Sequence, residues 1–167
     1  MEIDKDLLSE IGQLLLEMSE TVSVAESVTS GFLQFSFSQM TDASKFFKGG
    51  ITAYTLEEKV KFLKVDKNEA EKCDCVSENI AETMSLNAAE SFNTNWGIAV
   101  TGYATPAEES DYKIFAYFSL SYKNEIIFTK KLDLHSRTEP QNAQVYYSEF
   151  ILGCFRTHLQ QHQSRII

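Results

Sequence analysis

Proline is scarce in this chain of 167 residues, and cysteine is sparse and odd in number: two prolines and three cysteines. So few prolines, set against twelve phenylalanines and seven tyrosines, leave little room for long structureless loops and indicate dense packing. The cysteines are Cys73, Cys75 and Cys154. Cys73-x-Cys75 lacks the two-residue gap of redox and zinc motifs, so all three are expected as free thiols, with no metal site. Basic residues are outnumbered: 15 Lys and Arg against 24 Asp and Glu give a formal charge of −9. That balance argues against a nonspecific grip on nucleic acid, which needs a basic surface to meet phosphate. A small anionic ligand is still allowed, because N–H groups at a helix start bind one without net positive charge. No run approaches the ~18 apolar residues of a membrane-spanning helix. Met1-Glu2-Ile3-Asp4-Lys5-Asp6 is too acidic to open a signal peptide. The expected location is the cytoplasm, with no membrane partner.

What is present fits one domain. Hydrophobic residues make up 43% and charged residues 23%, ordinary for a globular chain of this length. Leu7, Ile11, Leu14, Leu15 and Met18 recur at helical spacing, predicting a helix over Lys5 to Ser19. Thr21 to Glu26 is short, β-branched and alternating, a strand pattern. Ser27-Val28-Thr29-Ser30-Gly31 follows as a turn, and Phe32 to Met40 resumes helical spacing. Phe46 to Tyr54 reads as a strand whose Gly49-Gly50 marks a bulge or a close backbone approach. Thr55-Leu56-Glu57-Glu58 has the form of a capping box, with Lys59 just behind it. Ser77 caps a helix with Ile80, Ala81, Met84, Ala88 and Phe92 on its inner face. Trp96 to Val100 is continuously apolar, like a central strand.

Thr101 to Lys113 reads as a loop, then two alternating runs meet near Lys123-Asn124 as an antiparallel hairpin. Thr138-Glu139-Pro140-Gln141 offers a second capping box, opening a final helix with Val145, Tyr147, Ile151, Cys154 and Phe155 inward. Strands interleaved with helices, plus one hairpin, predict a single-domain α/β/α sandwich with a mixed parallel and antiparallel sheet.

Two features carry chemistry. The Ser27–Gly31 turn puts hydroxyls where a strand stops and free N–H groups of a helix begin. Such a junction holds an anion or an oxyanion, or is simply a capped helix. Lys59 falls in a first helical turn, where the dipole disfavours a cation. It is either a solvated side chain or an amine whose pKa is pushed down for general-base work. His158 and His162 share a helix face at a four-residue step, but no Glu stands between them as a zincin needs, and a frayed, solvated helix end is expected. Glu139 and Arg165 suggest nothing further.

Several motifs in order resemble one family. Ala25-Glu26-Ser27-Val28-Thr29-Ser30-Gly31 is similar to the A-E-S-x-T-G-G signature of the CinA C-terminal family, which includes nicotinamide mononucleotide deamidases. The likeness runs on through Asp42-Ala43-Ser44, Phe47, Gly49-Gly50-Ile51 and Ala53 into Tyr54-Thr55-Leu56-Glu57-Glu58-Lys59, similar to the family's Y-S-N-x-x-K. Val76-Ser77-Glu78, Thr101-Gly102-Tyr103-Ala104-Thr105-Pro106 and His135-Ser136-Arg137 resemble its A-V-S-E, T-G-I-A-G-P and G-D-R segments. The resemblance implies a serine–lysine amidohydrolase without metal or organic cofactor, converting nicotinamide mononucleotide to nicotinic acid mononucleotide and ammonia. Ser27 is its implied nucleophile, Lys59 its general base, and Tyr54 lies nearby. Thr29, Ser30, Gly31, Ser44, Thr101, Gly102 and Arg137 are the implied substrate-binding positions. A homodimer is implied as well.

The match departs from the family at three places. Ser30 replaces a glycine, Thr105 replaces the loop glycine with Glu108 and Glu109 close behind, and Gln141 and Asn142 stand where members often carry arginines. These changes remove flexibility and positive charge around a phosphorylated ligand. The alternative is therefore a catalytically degenerate relative that binds a nucleotide or a partner without turnover. Larger proteins with this domain also carry an N-terminal domain resembling molybdopterin-binding proteins, and roles that depend on it are not expected of these residues.

Overall fold

A computed structural model describes residues 3–166; Met1 and Glu2, the first residues of the acidic N-terminal segment, lie outside the described residues. Helix α1 (Lys5–Met18) is capped by Asp4, whose carboxylate accepts from the N–H groups of Asp6 and Leu7. It leads through a left-handed Ser19 into β1 (Val22–Glu26). Then follow α2 (Phe32–Ser38), α3 (Ala43–Phe46), β2 (Phe47–Thr52), α4 (Leu56–Leu63), α5 (Lys67–Lys72) and α6 (Glu78–Phe92). Strand β3 (Trp96–Gly102), a 3-10 turn at Glu108–Ser110, β4 (Ile114–Tyr122), β5 (Glu125–Leu134) and α7 (Pro140–Ile166) complete the chain. The sheet order is β2-β1-β3-β4-β5, with β1 parallel to β2 and β3, and β4 antiparallel to both its neighbours. The mixed α/β architecture is the one expected.

The two faces of the sheet differ in size of side chain. Val22, Val24, Trp96, Ile98, Val100, Phe118 and Leu120 point to one side, into a core shared with α1, α2 and α7. Ser23, Ala25, Gly97, Ala99, Ser119 and Ser121 alternate with them and point to the other. Small residues there let α6 lie close, through its own Ala81, Ser85, Ala88 and Ala89. Ser85 Oγ reaches Ser119 Oγ across the gap at 3.4 Å. All five residues of β1 are consequently buried, although its sequence alternates. The Gly49-Gly50 pair does both things expected of it. The β1–β2 register shifts opposite Lys48, and a Cβ at Gly49 (φ +133°) would meet the Phe92 ring at 2.7 Å.

Several local expectations are corrected. Phe46 ends the short helix α3 instead of opening a strand, and α5 is a helix that the sequence pattern did not announce. Thr55 flanks α4, but its side chain accepts no capping bond from the first-turn N–H groups, and α7 begins at Pro140, one residue later than a Thr138 cap requires. Val145 and Cys154 are only half-buried; the inner face of α7 runs through Ala143, Tyr147, Ile151, Leu152, Phe155 and Leu159. His158 and His162 are not on a frayed, solvated end. His158 packs on Phe128, and His162 packs on Trp96 and Tyr122 with Nε2 3.1 Å from Glu20 Oε1. Among the described residues no helix is long and apolar enough to cross a membrane.

The close α6–β3 approach makes a testable demand at Gly97. An added Cβ would press on the Ser85 carbonyl, on Ser121 Oγ and on Ala89 Cβ. Since two of these neighbours are fixed by helix and sheet, Gly97→Ala is expected to destabilise by about 3 kcal/mol, the upper range for overpacking. Urea unfolding followed by circular dichroism measures it, and an unchanged midpoint would contradict the tight face.

Candidate active site

The parallel strands β2, β1 and β3 all end at one edge of the sheet. The chain leaves β1 toward β2 and returns on the other side to β3, so a crevice opens at the ends of β1 and β3. Ser27 follows β1 directly. Its N–H donates to Val100 O on β3 (3.1 Å), and its own carbonyl accepts from Ser30 N–H (3.1 Å). A cavity of about 370 Å³ opens here, lined by Ser27, Tyr54, Lys59, Asp74, Cys75 and Thr101 among others. Ser27 is 6% exposed, and its Oγ makes no hydrogen bond to a described residue.

The turn after Ser27 is organised by Glu26, a residue with no exposed surface. Its carboxylate accepts from Thr29 Oγ1 (2.6 Å) and from the N–H groups of Gly31 (3.1 Å), Leu33 (3.0 Å) and Gln34 (2.8 Å). The start of α2 is thus occupied from within by a side-chain anion, which suits the positive end of a helix. Those N–H groups are closed to an outside anion. The N–H groups of Val28 and Thr29 carry no hydrogen bond to a described residue, and Val28 lines the cavity.

Lys59 lies in α4, with its N–H bonded to Thr55 O at 3.1 Å. The residue is 2% exposed. Its Nζ donates to Tyr54 O at 3.0 Å instead of bonding Ser27 Oγ. Burial pushes the amine below its ordinary value, while nearby Cys75 and Asp74 pull the other way. Burial also pushes the Cys75 thiol up, partly offset by Lys59. A lysine in this setting tends toward the neutral form that takes a proton. Tyr54 contributes its carbonyl and an exposed ring at the cavity edge.

The other implied positions divide. Thr101, with Oγ1 donating to Cys75 O (2.8 Å), and Gly102 line the cavity. Thr29, Ser30 and Gly31 line a neighbouring hollow of about 270 Å³ with Gln141 and Gln144. Thr29 is turned inward onto Glu26, and Ser30 adopts a left-handed backbone (φ 51°). Ser44 is exposed on α3, before β2 begins, at the opposite end of the sheet from Ser27. Arg137 is exposed in the turn before α7, outside the cavity lining. Within this chain, Ser44 and Arg137 are therefore not brought to Ser27. Glu108 and Glu109 stay outside the lining too, and Asp74 is the acid that faces the cavity.

Sequence reasoning missed Asp74, Cys75, Tyr103 and Gln144. Asp74 and Cys75 take consecutive left-handed conformations (φ 49° and 60°), and Tyr103 OH donates to Asp74 Oδ2 at 2.8 Å. Gln144 Nε2 donates to Val28 O at 2.9 Å, tying α7 to the turn after Ser27. No local pattern signals such contacts; only the doubled hydrophilic turn Cys73-Asp74-Cys75 hints at one. Among the described residues no group of three or more His, Cys, Asp or Glu comes together as a metal site.

Comparison with known proteins gives a consistent result. The family model of the CinA C-terminal domain matches residues 4–148. A CinA-like protein of Synechocystis is 43% identical over 111 residues, covering 66% of this chain and 27% of that protein. A CinA-like protein of Prochlorococcus marinus is 35% identical over 149 residues, covering 86% and 35%. The chain thus spans about a third or less of the length of these relatives. A solved CinA superfamily protein from Klebsiella pneumoniae superposes with a TM-score of 0.85 at 20% identity, covering 93% of this chain and 97% of that one. One from Escherichia coli gives 0.82 at 23%, covering 96% and 94%. At these identities the structural likeness speaks for the fold alone.

Buried Lys59 should leave a signature in stability against pH. Its folded-state pKa lies below the ordinary 10.5, so the cost of charging it in place is present at neutral pH and disappears as pH rises toward that value. Lys59→Met removes that cost. Thermal melts across the alkaline range should find the variant's advantage over the parent protein shrinking steadily with pH. A pH-independent difference would mean the amine is not desolvated.

Proposed function

The chain belongs to the CinA C-terminal domain family, and on that premise we propose that it is a serine–lysine amidohydrolase acting on the carboxamide of nicotinamide mononucleotide. The observation that carries this reading is one shared cavity. A serine hydroxyl without a hydrogen-bond partner, at the end of β1, and a buried lysine amine from α4 both line it.

The steps follow from these groups. Neutral Lys59 takes the proton of Ser27 Oγ, and the oxygen attacks the amide carbon. The carbonyl oxygen gains charge, and the N–H groups of Val28 and Thr29 stand next to the nucleophile to receive it; one such donor is worth about 3 kcal/mol. The C–N bond breaks, and the lysine ammonium returns its proton to the departing nitrogen, releasing ammonia. Water, deprotonated by Lys59, then cleaves the acyl ester, giving the carboxylate and free Ser27. The bond from Lys59 Nζ to Tyr54 O fixes the end of the side chain and leaves the amine lone pair to accept. Tyr54 positions the base through its backbone. Within this reading, no metal or organic cofactor takes part, the ligand is a small molecule, and the protein works as a cytoplasmic homodimer.

A second reading, a binding module without turnover, is favoured by one observation: Nζ bonds Tyr54 O and not Ser27 Oγ. Ammonia release from nicotinamide mononucleotide separates the two. The parent protein is expected to release it, with Ser27→Ala and Lys59→Ala each slower by about 10³-fold. Equal rates in all three remove both roles. A thermal shift on adding the nucleotide, without ammonia, supports the binding module.

A further inference from the structure

Two N–H groups beside the nucleophile, those of Val28 and Thr29, make no hydrogen bond to a described residue although both residues are buried. A trans peptide is planar, and its N–H and C=O face opposite ways. Each of these N–H groups is therefore aimed by the carbonyl of its own peptide. The N–H of Val28 shares a plane with Ser27 O, which Ser30 N–H holds within the turn at 3.1 Å. The N–H of Thr29 shares a plane with Val28 O, and no backbone donor among the described residues reaches that oxygen.

Glu26 is the reason. In a regular first turn Val28 O would accept from the N–H of Gly31 or Phe32. Here Glu26 takes the N–H of Gly31 (3.1 Å), and Thr29 O takes that of Phe32 (3.0 Å). Val28, 5% exposed, is left with a carbonyl that needs a partner from elsewhere. Gln144 supplies it from α7, with Nε2 at 2.9 Å. Its place on that helix is firm. Ala143 beside it and Tyr147 one turn on are buried, and Tyr147 OH donates to Tyr103 O at 3.0 Å.

We infer that Gln144 is a positioning residue for the reaction: by holding Val28 O, it fixes the direction of Thr29 N–H, one of the two donors that receive the oxyanion. It acts through the peptide and not on the reacting atoms. The inference rests on the proposed role of Ser27 as nucleophile, and its test is read apart from the identity of the substrate.

The probe is a fluorophosphonate ester. Ser27 Oγ attacks its phosphorus, fluoride leaves, and the phosphoryl oxygen occupies the place of the oxyanion. Mass spectrometry follows labelling, with Ser27→Ala as the unlabelled control. Gln144→Met keeps the length of the side chain without a donor and is expected to label about tenfold more slowly, part of the ~10²- to 10³-fold that loss of a whole donor costs. Gln144→Glu, which has the same shape but only acceptors when ionised, should be at least as slow. Melting temperatures of both variants should fall by only about 3 °C, the scale of one hydrogen bond in a chain of this size. With nicotinamide mononucleotide, kcat of both variants should drop by a similar factor while KM stays within about twofold. Labelling of Gln144→Met at the parent rate, a loss confined to KM, or a parent Ser27 that does not label overturns the assignment. Slower labelling of the variants without any ammonia release by the parent sinks the amidase reading and leaves Gln144 in its role. Ammonia release by the parent that Gln144→Met matches in kcat does the reverse.

Discussion

The site is built around a buried carboxylate. Glu26 ends a strand that is covered on both faces, and its buried carboxylate is satisfied by four converging donors. Three of those donors are the first free N–H groups of α2, so the interaction caps a helix and folds the preceding turn at once. Ser27, next in sequence, is held by the same geometry with its N–H on Val100 O. Remove the carboxylate and the turn loses its template, with Gly31, Leu33 and Gln34 left to find other acceptors. The arrangement also fixes which N–H groups remain for chemistry. They are those of Val28 and Thr29, between the nucleophile and the cap.

The asymmetry of the sheet decides where the second partner can stand. Because the face carrying Ala25, Gly97 and Ala99 is lined with small residues, α6 sits low on it, and α4 and α5 pack beside α6 in one small cluster with Leu63, Val65 and Ala70. Lys59 leaves α4 from within that layer, so its chain is buried before it reaches the cavity. Tight packing thereby both removes water from the amine and aims it. The opposite, large-residue face takes α1, α2 and α7 and supplies the bulk of the apolar core.

Periodic features of this chain were legible from sequence: α1, the hairpin, Ser77 as a cap and the glycine pair that bulges β2. So were the candidate residues Ser27, Thr101 and Gly102 at strand ends, and Lys59 in the helix that follows β2. Non-periodic features were not. Glu26 reads as the last residue of a strand, and only the fold reveals its four donors. Asp74 and Cys75 bend the chain without glycine, and although Asp tolerates a left-handed backbone, no turn rule anticipates the same conformation at Cys75. Ser44 and Arg137 matched motifs, yet lie on an exposed helix and an exposed turn away from the cavity. Linear resemblance ranks residues by pattern, and only the fold can say which of them face the same space.

A second buried carboxylate makes the same point at the other end of β1. Glu20, just before the strand, accepts from Trp96 Nε1 and from Tyr122 OH (2.7 Å), and lies 3.1 Å from His162 Nε2. The last turns of α7 are thus anchored where the sheet begins, while its first turns hold Val28 through Gln144 where the sheet ends. A helix of 27 residues spans about 40 Å, enough to join the two. The two carboxylates therefore serve one structure. Glu26 shapes the turn that presents Ser27, and Glu20 fixes the far end of the helix that braces that turn from behind. Glu26 is satisfied locally, by donors of its own turn and the start of α2, whereas Glu20 draws its partners from β3, β4 and α7 and cannot act before the sheet and α7 have assembled.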